Sequence, residues 1–277
     1  MAFKIVIDSS GDVQEFAGVD FACAPLKIQI GEREYVDTLD ADVSGMTAYL
    51  STYKGKTSTA CPSVGDYVEA FSDAECVFGI TITSNLSGSY NAAKVAAEAW
   101  QEEHPDGKIY IFDSLTAGPE LRLLAERLRE WIGEGKSFEE IVPLGEAYLE
   151  NAETLFSLES LLNLANNGRV PMAVAKIAGV LGIRLIGTAC DGRIKPIDKA
   201  RGEKKVVPTL MKQMAEKGYA GGRLRISHCE NLAAAEELAA AVRAQYPNAD
   251  IEIGKCWCLT SFYAEKGGMI IGFETKK

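Results

Sequence analysis

The sequence predicts an α/β protein with an N-terminal lobe containing a parallel sheet and a C-terminal α+β lobe. Apolar runs of strand length alternate with helical patterns over the first part of the chain, which indicates a parallel sheet covered by helices. In the second half, Asp191-Gly192 is a strong hairpin signal between two apolar runs. We therefore expect two domains, residues 1–155 and 156–277, that share a cleft.

The elements of the N-terminal lobe follow from apolar runs bounded by turns and helix caps. Residues 76–82 form a continuous apolar run, which is typical of a central parallel strand buried on both faces. Ser63 with Asp66, and Ser137 with Glu140, have the spacing of capping boxes that begin helices. The predicted elements are a strand at 4–7, a hairpin of 26–30 and 33–36, helices at 43–53 and 63–71, a strand at 76–82, a helix at 87–103, a strand at 108–112 and two further helices.

The C-terminal lobe is predicted around the hairpin and two later helices. Small residues dominate 171–181, which favours a closely packed helix there. The predicted elements are this helix, hairpin strands at 183–189 and 193–198, a helix at 204–216, a strand at 223–228, a helix at 232–246, and strands at 251–257 and 269–274.

Charge and composition exclude several classes of partner. The net charge of −10 disfavours broad binding to nucleic acid or to an anionic membrane surface. No window approaches the roughly 18 consecutive apolar residues that span a bilayer, so stable membrane insertion is not expected. The seven cysteines lack framework spacing, and the first residues lack the apolar core of a signal peptide. We expect a cytoplasmic protein.

The most informative segment is Thr83-Ser84-Asn85-Leu86-Ser87-Gly88-Ser89-Tyr90. It follows an apolar strand and opens a helix, where unpaired N–H groups and the helix dipole attract anions. Gly88 permits close approach to the backbone, and hydroxyl groups surround it. The segment therefore indicates either an anion site or an ordinary N-terminal cap in a loop.

Two further polar turns favour the anion site. Thr57-Ser58-Thr59-Ala60-Cys61-Pro62-Ser63 precedes a predicted helix, and Asp113-Ser114-Leu115-Thr116-Ala117-Gly118 follows the next strand. Turns of this kind in one α/β lobe gather at one edge of its sheet. We therefore expect their side chains to contribute to one site.

Short motifs along the whole chain resemble the DegV family in order and spacing. They are Asp8-Ser9-Ser10, residues 59–63, Leu86-Ser87-Gly88-Ser89-Tyr90, Asp113-Ser114-Leu115, Gly168-Arg169-Val170, Asp191-Gly192 and Lys199-Ala200-Arg201-Gly202. The resemblance implies a non-catalytic carrier without a cofactor, which buries one long-chain fatty acid in a tunnel between two domains. It also implies a separate fatty acid kinase as partner, to which the carboxylate is presented.

The resemblance also implies roles for individual residues. Thr59, Ser87 and the backbone around Gly88 correspond to carboxylate contacts, whereas Arg169 and Arg201 correspond to basic residues that face the kinase. The expected ligand contacts are Thr59, Ser63, Ser84, Asn85, Ser87, Gly88, Ser114 and Tyr263. Tyr263 is included because this chain has Tyr263-Ala264-Glu265-Lys266-Gly267-Gly268 where many members have His-Thr-Gly-Pro-Gly. A second departure is Thr59-Ala60-Cys61-Pro62-Ser63, which replaces Thr-Ser-Gln-Pro-Ser.

The residues alone leave two other functions open. An enzyme could act on a small carboxylated or phosphorylated substrate at the same turns, as a hydrolase or an acyl or phosphoryl transferase. Neither of the two histidines is placed by sequence as a general base, and Ser87 lacks a Gly-x-Ser-x-Gly elbow. An interaction module with a vestigial pocket is the other alternative.

Metal and nucleotide sites have little support in the sequence. Cys256 and Cys258 would share one face of the predicted strand at 251–257, yet no second ligand pair has suitable spacing. Buried thiols explain them better. No Walker A or Gly-x-Gly-x-x-Gly motif follows a strand, so no nucleotide cofactor is expected.

Overall fold

The computed structural model describes residues 2–72, 74–178 and 182–276. Its helices are α1 (Val43–Thr52), α2 (Val64–Phe71), α3 (Ser89–Glu103), α4 (Pro119–Gly133), α5 (Phe138–Leu149), α6 (Leu162–Asn166), α7 (Met172–Ala178), α8 (Val206–Glu216), α9 (Leu232–Gln245) and α10 (Cys258–Ala264). Its strands are β1 (Phe3–Asp8), β2 (Asp20–Ala24), β3 (Lys27–Ile30), β4 (Arg33–Val36), β5 (Thr57–Ala60), β6 (Cys76–Thr81), β7 (Lys108–Asp113), β8 (Ala152–Leu158), β9 (Ile183–Cys190), β10 (Arg193–Arg201), β11 (Leu224–His228), β12 (Ile251–Lys255) and β13 (Met269–Glu274).

The N-terminal part is organised by a parallel sheet of order β2-β1-β6-β7, which confirms the predicted fold class. Successive residues of a strand point to opposite faces, and both faces here are apolar. On one face Val6 and Val77 pack with α2 and α3 around Trp100. On the other, Ile5 and Phe78 pack with α4 and α5. The buried sheet holds the turns at its carboxyl edge in fixed positions.

The segment that we predicted as a polar turn at 57–63 begins as a strand. Residues of β5 pair antiparallel with β3, so that Thr59 lies opposite Ile28. Partly buried and exposed residues alternate along β5, as expected for an edge strand with one face against the core. Threonine is β-branched and favours this conformation, so the turn starts only after Ala60.

The C-terminal part contains a six-stranded sheet of order β10-β9-β8-β13-β11-β12. Only the β11–β12 pair is parallel among the pairings of its described strands. Helices α8 and α9 cover one face through Leu210, Met214 and Leu238. The predicted boundary at residue 155 falls within β8, whose residues pair in this sheet, and the division into two domains stays a prediction.

The predicted strand at 251–257 is too long. Strand β12 ends at Lys255 and helix α10 begins at Cys258, so Cys256 and Cys258 do not share a strand face. The carboxylate of Asp37 accepts the backbone N–H of Cys258 at 2.7 Å and thereby stabilises the first turn of α10. This contact joins residues far apart in sequence, which a local pattern does not reveal. The predicted helix at 171–181 is observed as α7, and residues 179–181 lie outside the described residues.

Within the described ranges, no helix is long and apolar enough to cross a membrane. Over the same residues, no group of three or more His, Cys, Asp or Glu side chains is placed to hold a metal ion.

Candidate ligand-binding cavity

A cavity of about 370 Å³ lies between the carboxyl edge of the parallel sheet and the six-stranded sheet. The first side is formed by the segments that follow β1, β6 and β7, and the second by residues of β8, β9, β10 and β13. Its apolar lining includes Ile82, Leu86, Phe156, Leu158 and Ile270. A mostly apolar cleft with a few polar groups is the usual form of a small-molecule site.

One end of the cavity is polar and lies at the surface. The hydroxyl groups of Thr59, on β5, and Tyr263, on α10, are 2.8 Å apart. Burial raises the pKa of Tyr263, while the hydrogen bond with Thr59 and the charge of Arg169 oppose that shift. Tyr263 therefore stays a neutral phenol at physiological pH, and it can donate a hydrogen bond to an anion.

The start of α3 forms the other side of this polar end. Ser87 and Gly88 both line the cavity, and Gly88 is exposed. Gly88 is the N-cap residue of α3 and has no side chain with which to cap it, while Oγ of Ser87 accepts the N–H of Ser89 at 3.2 Å. A Cβ atom added at Gly88 would lie 3.3 Å from Sγ of Cys61, so the glycine keeps the space beside the helix end open. The N-terminus of a long helix favours a negatively charged ligand at this point.

The turns at the polar end are fixed by a buried carboxylate, Asp8. It accepts hydrogen bonds from the hydroxyl of Ser10 (2.5 Å), the hydroxyl of Ser89 (2.6 Å) and the backbone N–H of Ile82 (2.8 Å). Burial raises the pKa of Asp8, and these hydrogen bonds oppose the shift. Asp8 thus connects the end of β1, the end of β6 and the first turn of α3.

Helix α10 is held against the N-terminal part by two more buried carboxylates. Asp37 accepts the N–H of Cys258, and Asp12 accepts the N–H of Trp257 at 2.9 Å and the hydroxyl of Thr260. Burial raises the pKa of Asp37 to about 6 and that of Asp12 to about 7. These contacts position the helix that carries Tyr263.

Arg169 brings a positive charge to the same cavity. Its side chain lines the cavity and its Nε donates to the backbone oxygen of Leu86 at 3.2 Å. The guanidinium group therefore lies next to the segment that leads into α3. A cation beside the helix N-terminus adds to the attraction for an anionic group.

Comparison with known proteins identifies the family. The family model described as "Uncharacterised protein, DegV family" matches residues 2–276. The chain belongs to the DegV family. A DegV domain-containing protein of Streptococcus pneumoniae is 38% identical over 279 residues, which cover 99% of each chain.

Two solved DegV structures are similar over nearly the whole chain. The DegV family protein of Eubacterium eligens, loaded with heptadecanoic acid, shares 42% identity and a TM-score of 0.97 over 99% of this chain and 100% of its own. The Streptococcus pneumoniae Fatty Acid Kinase (Fak) B3 protein, loaded with linoleic acid, shares 38% identity and a TM-score of 0.97 over 100% of both chains. These similarities confirm the resemblance inferred from the sequence motifs.

The structure of this DegV-family chain brings together five of the residues predicted for its site. Thr59, Ser87, Gly88, Tyr263 and Arg169 all line the cavity. They come from β5, the start of α3, α10 and the segment after α6, and the fold gathers them at one end.

The other predicted residues lie outside the cavity lining. Ser63 exchanges hydrogen bonds with Asp66 as the cap of α2. Asn85 donates to the backbone oxygen of Asp191 at 3.1 Å. Ser84 is exposed, Ser114 donates to the backbone oxygen of Thr116, and Arg201 is exposed at the end of β10. Ser63, Ser84, Asn85 and Ser114 therefore shape or flank the turns around the cavity, and Arg201 does not.

Sequence reasoning missed the contribution of β8 to the cavity. Thr154, Phe156 and Leu158 alternate along this strand and line the cavity together. The alternation with a period of two along this strand was a usable signal. The sequence also did not predict a role for Gly187 on β9. The ring of Phe156 lies over this glycine, and a Cβ atom there would be 2.1 Å from that ring.

Proposed function

We propose that this protein binds one long-chain fatty acid in the cavity and presents its carboxylate to a separate fatty acid kinase. The observation that carries the proposal is the division of one cavity into an apolar interior and a polar, exposed end at Gly88. The DegV structures loaded with heptadecanoic acid and linoleic acid support the same ligand class.

The apolar interior provides the main driving force in this proposal. Enclosing about 15 methylene groups at ~0.8 kcal/mol each contributes on the order of 12 kcal/mol before the costs of ordering the chain. Phe156, Leu158 and Ile270 supply the surface against which the methylenes pack. Transfer of the hydrocarbon chain from water into this apolar interior is favourable, so the acid binds with its tail inside the cavity.

The carboxylate is held by hydrogen bonds that replace its water. We assign direct contact to the hydroxyls of Thr59, Ser87 and Tyr263 and to the backbone at Gly88, because these groups line the polar end. Burying a charge is unfavourable unless donors of this kind surround it. In this proposal Tyr263 takes the place that the sequence resemblance gives to a histidine, and its neutral phenol donates without adding charge.

The exposed end suits transfer to a partner better than chemistry within this chain. His228 is buried and its Nδ1 accepts the N–H of Asn231, while His104 stacks on Trp100 at 4.5 Å between ring centroids. Neither histidine is among the lining residues of the cavity. The side chains that do line its polar end provide hydrogen bonds and positive charge, which are properties of a carrier.

The kinase in this proposal approaches the exposed polar end. Arg169 lies in the cavity wall, and Arg201 is exposed on the neighbouring strand β10. Against the net charge of −10, we assign both cations to the contact with an acidic region or with nucleotide phosphates held by the partner. The Fak B3 relative is named as part of a fatty acid kinase, which supports a partner of this type.

Titration of octadecenoic acid into wild-type, Ser87→Ala and Ser84→Ala protein tests the carboxylate assignment. Ser87 lines the cavity, whereas Ser84 is exposed in the same turn and serves as the matched control. Loss of one hydrogen bond to a charged group is expected to weaken binding by roughly 1–3 kcal/mol in Ser87→Ala. Equal affinities of all three proteins would contradict the assignment, and failure of the wild type to bind would refute the proposed function.

A further inference from the structure

The wall of the cavity carries a second polar cluster, built from elements other than those of the polar end. Thr116 follows β7 and Thr154 lies on β8, and both line the cavity while being 2% and 5% exposed. Behind them lies Glu120, in the first turn of α4, which is 4% exposed. A hydrocarbon chain needs no hydroxyl groups in its wall.

Hydrogen bonds join these three side chains in a line. The hydroxyl of Thr116 donates to Oγ1 of Thr154 at 2.9 Å, and the hydroxyl of Thr154 donates to Oε2 of Glu120 at 2.7 Å. Both hydroxyl protons therefore point away from the cavity and toward the carboxylate. A hydroxyl oxygen that donates one hydrogen bond keeps lone pairs for accepting another, so the oxygen of Thr116 can accept from a group in the cavity.

The donors and acceptors in this line of hydrogen bonds can also be reversed. Burial raises the pKa of Glu120 to about 7, against the hydrogen bond from Thr154. When Glu120 is protonated it donates to Thr154, Thr154 donates to Thr116, and Thr116 is free to donate into the cavity. The cluster thus matches a substituent that both donates and accepts, as a hydroxyl does.

Close packing of α4 places the carboxyl group behind this wall. Gly272 on β13 lies opposite Thr154, and a Cβ atom there would be 2.6 Å from the backbone nitrogen of Glu120. Thr116, Thr154 and Glu120 also line a neighbouring cavity of about 440 Å³, so the wall is thin at this point. A small polar substituent on a bound chain would therefore meet its hydrogen-bond partners at this shared wall.

Backbone hydrogen bonds connect the cluster to the polar end of the cavity. The N–H of Thr83 donates to the oxygen of Thr116 at 2.9 Å, and the oxygen of Thr83 accepts the N–H of Ser87 at 3.3 Å. Two such steps separate the cluster from the proposed carboxylate contact at Ser87. A substituent that reaches the cluster is therefore expected on the half of the acyl chain nearer the carboxylate.

From this arrangement we infer that Thr116 and Thr154 form a subsite for a hydroxyl group on the carboxyl-proximal half of the acyl chain. The inference rests on the proposed binding of fatty acids and extends it to hydroxylated acids. A role limited to joining α4 and β8 would stabilise the protein without producing any preference among ligands.

The test compares octadecanoic acid with a series of hydroxyoctadecanoic acids that differ only in the position of the hydroxyl group. The proteins are the wild type, Thr116→Val, Thr116→Ser and Thr81→Val. Valine keeps the shape of threonine and removes the hydroxyl, whereas serine keeps the hydroxyl. Thr81 is the matched control, because it is fully buried and lies outside the cavity lining.

For at least one carboxyl-proximal isomer, the affinity relative to octadecanoic acid is expected to fall roughly tenfold in Thr116→Val, as expected for a hydroxyl buried without its partner. Thr116→Ser and Thr81→Val should keep the wild-type ratio. A ratio that is the same in all four proteins for every isomer, or that changes only for distal isomers, would overturn the inference while leaving fatty acid binding intact. Absence of any binding by the wild type would overturn the proposed function itself.

Discussion

Replacing Gly88 with alanine adds one methyl group at the polar end of the cavity. The backbone at this residue has φ −75°, which alanine adopts without strain, so the helix should start in the same place. The new Cβ atom would lie 3.3 Å from Sγ of Cys61, which is closer than an ordinary contact. Space beside the helix N-terminus would be lost just where we place the carboxylate.

The expected magnitude follows from the interaction that is displaced. A hydrogen bond to a charged group contributes roughly 1.5–3 kcal/mol, so the dissociation constant for a long-chain acid should rise about 10- to 150-fold in Gly88→Ala. Alanine is a poorer N-cap residue than glycine, and a loss of about 0.5–1 kcal/mol in the free energy of unfolding is expected without ligand. The loss in binding should therefore exceed the loss in stability.

Isothermal titration calorimetry with octadecenoic acid measures the affinity, and thermal unfolding of the ligand-free protein shows that the variant is folded. Gly65→Ala is the matched control, since Gly65 lies in the first turn of α2 and its added Cβ would meet only the hydroxyl of Ser63, at 3.7 Å. That variant should bind as the wild type does. If Gly88→Ala also keeps wild-type affinity, the carboxylate does not approach the start of α3 and the reasoning is wrong.

Three further predictions concern other parts of the site. Tyr263→Phe and Thr59→Val should each weaken acid binding by about 1 kcal/mol, and because their hydroxyls are bonded to each other, the double variant should show less than the sum; additive losses in calorimetry would show that the two act separately. Arg201→Ala should slow phosphorylation of bound acid by a partner kinase without changing acid affinity, whereas Arg169→Ala should lower both; loss of acid affinity in Arg201→Ala would contradict its assignment to the partner surface. Burial raises the pKa of Glu120 from 4.5 to about 7, so its protonated form stabilises the fold at low pH and this contribution is lost as the pH rises from about 4.5 to about 7. The free energy of unfolding of Glu120→Gln relative to the wild type should therefore increase by about 3 kcal/mol over that range in denaturant titrations, and an unchanged difference would show that Glu120 does not titrate there.

Local patterns predicted most of the regular structure. The apolar run that became β6 and the hairpin turn at Asp191-Gly192 each depend on neighbouring residues, and both are observed. The capping box of Ser63 and Asp66 is also present. Such features are decided within a few residues, so a sequence pattern is sufficient to find them.

Elements that depend on distant partners were missed. The start of α10 is stabilised by a hydrogen bond from the N–H of Cys258 to the carboxylate of Asp37, and β5 forms because it can pair with the edge of β3. The site shows the same division between local and distant features. Ser87 and Gly88 could be predicted because a helix start attracts anions through its own backbone. The line from Thr116 through Thr154 to Glu120 was not found, because it joins three elements that only the fold brings together.

Native mass spectrometry of the purified protein tests the central claim most directly. The account predicts a fraction of molecules that carry one additional mass equal to a long-chain fatty acid, together with saturable uptake of one such acid by protein that has been stripped of lipid. Under the same conditions, Gly88→Ala should retain less of that mass than Gly65→Ala. Protein that shows no such mass after purification and takes up no long-chain acid on titration would contradict the account.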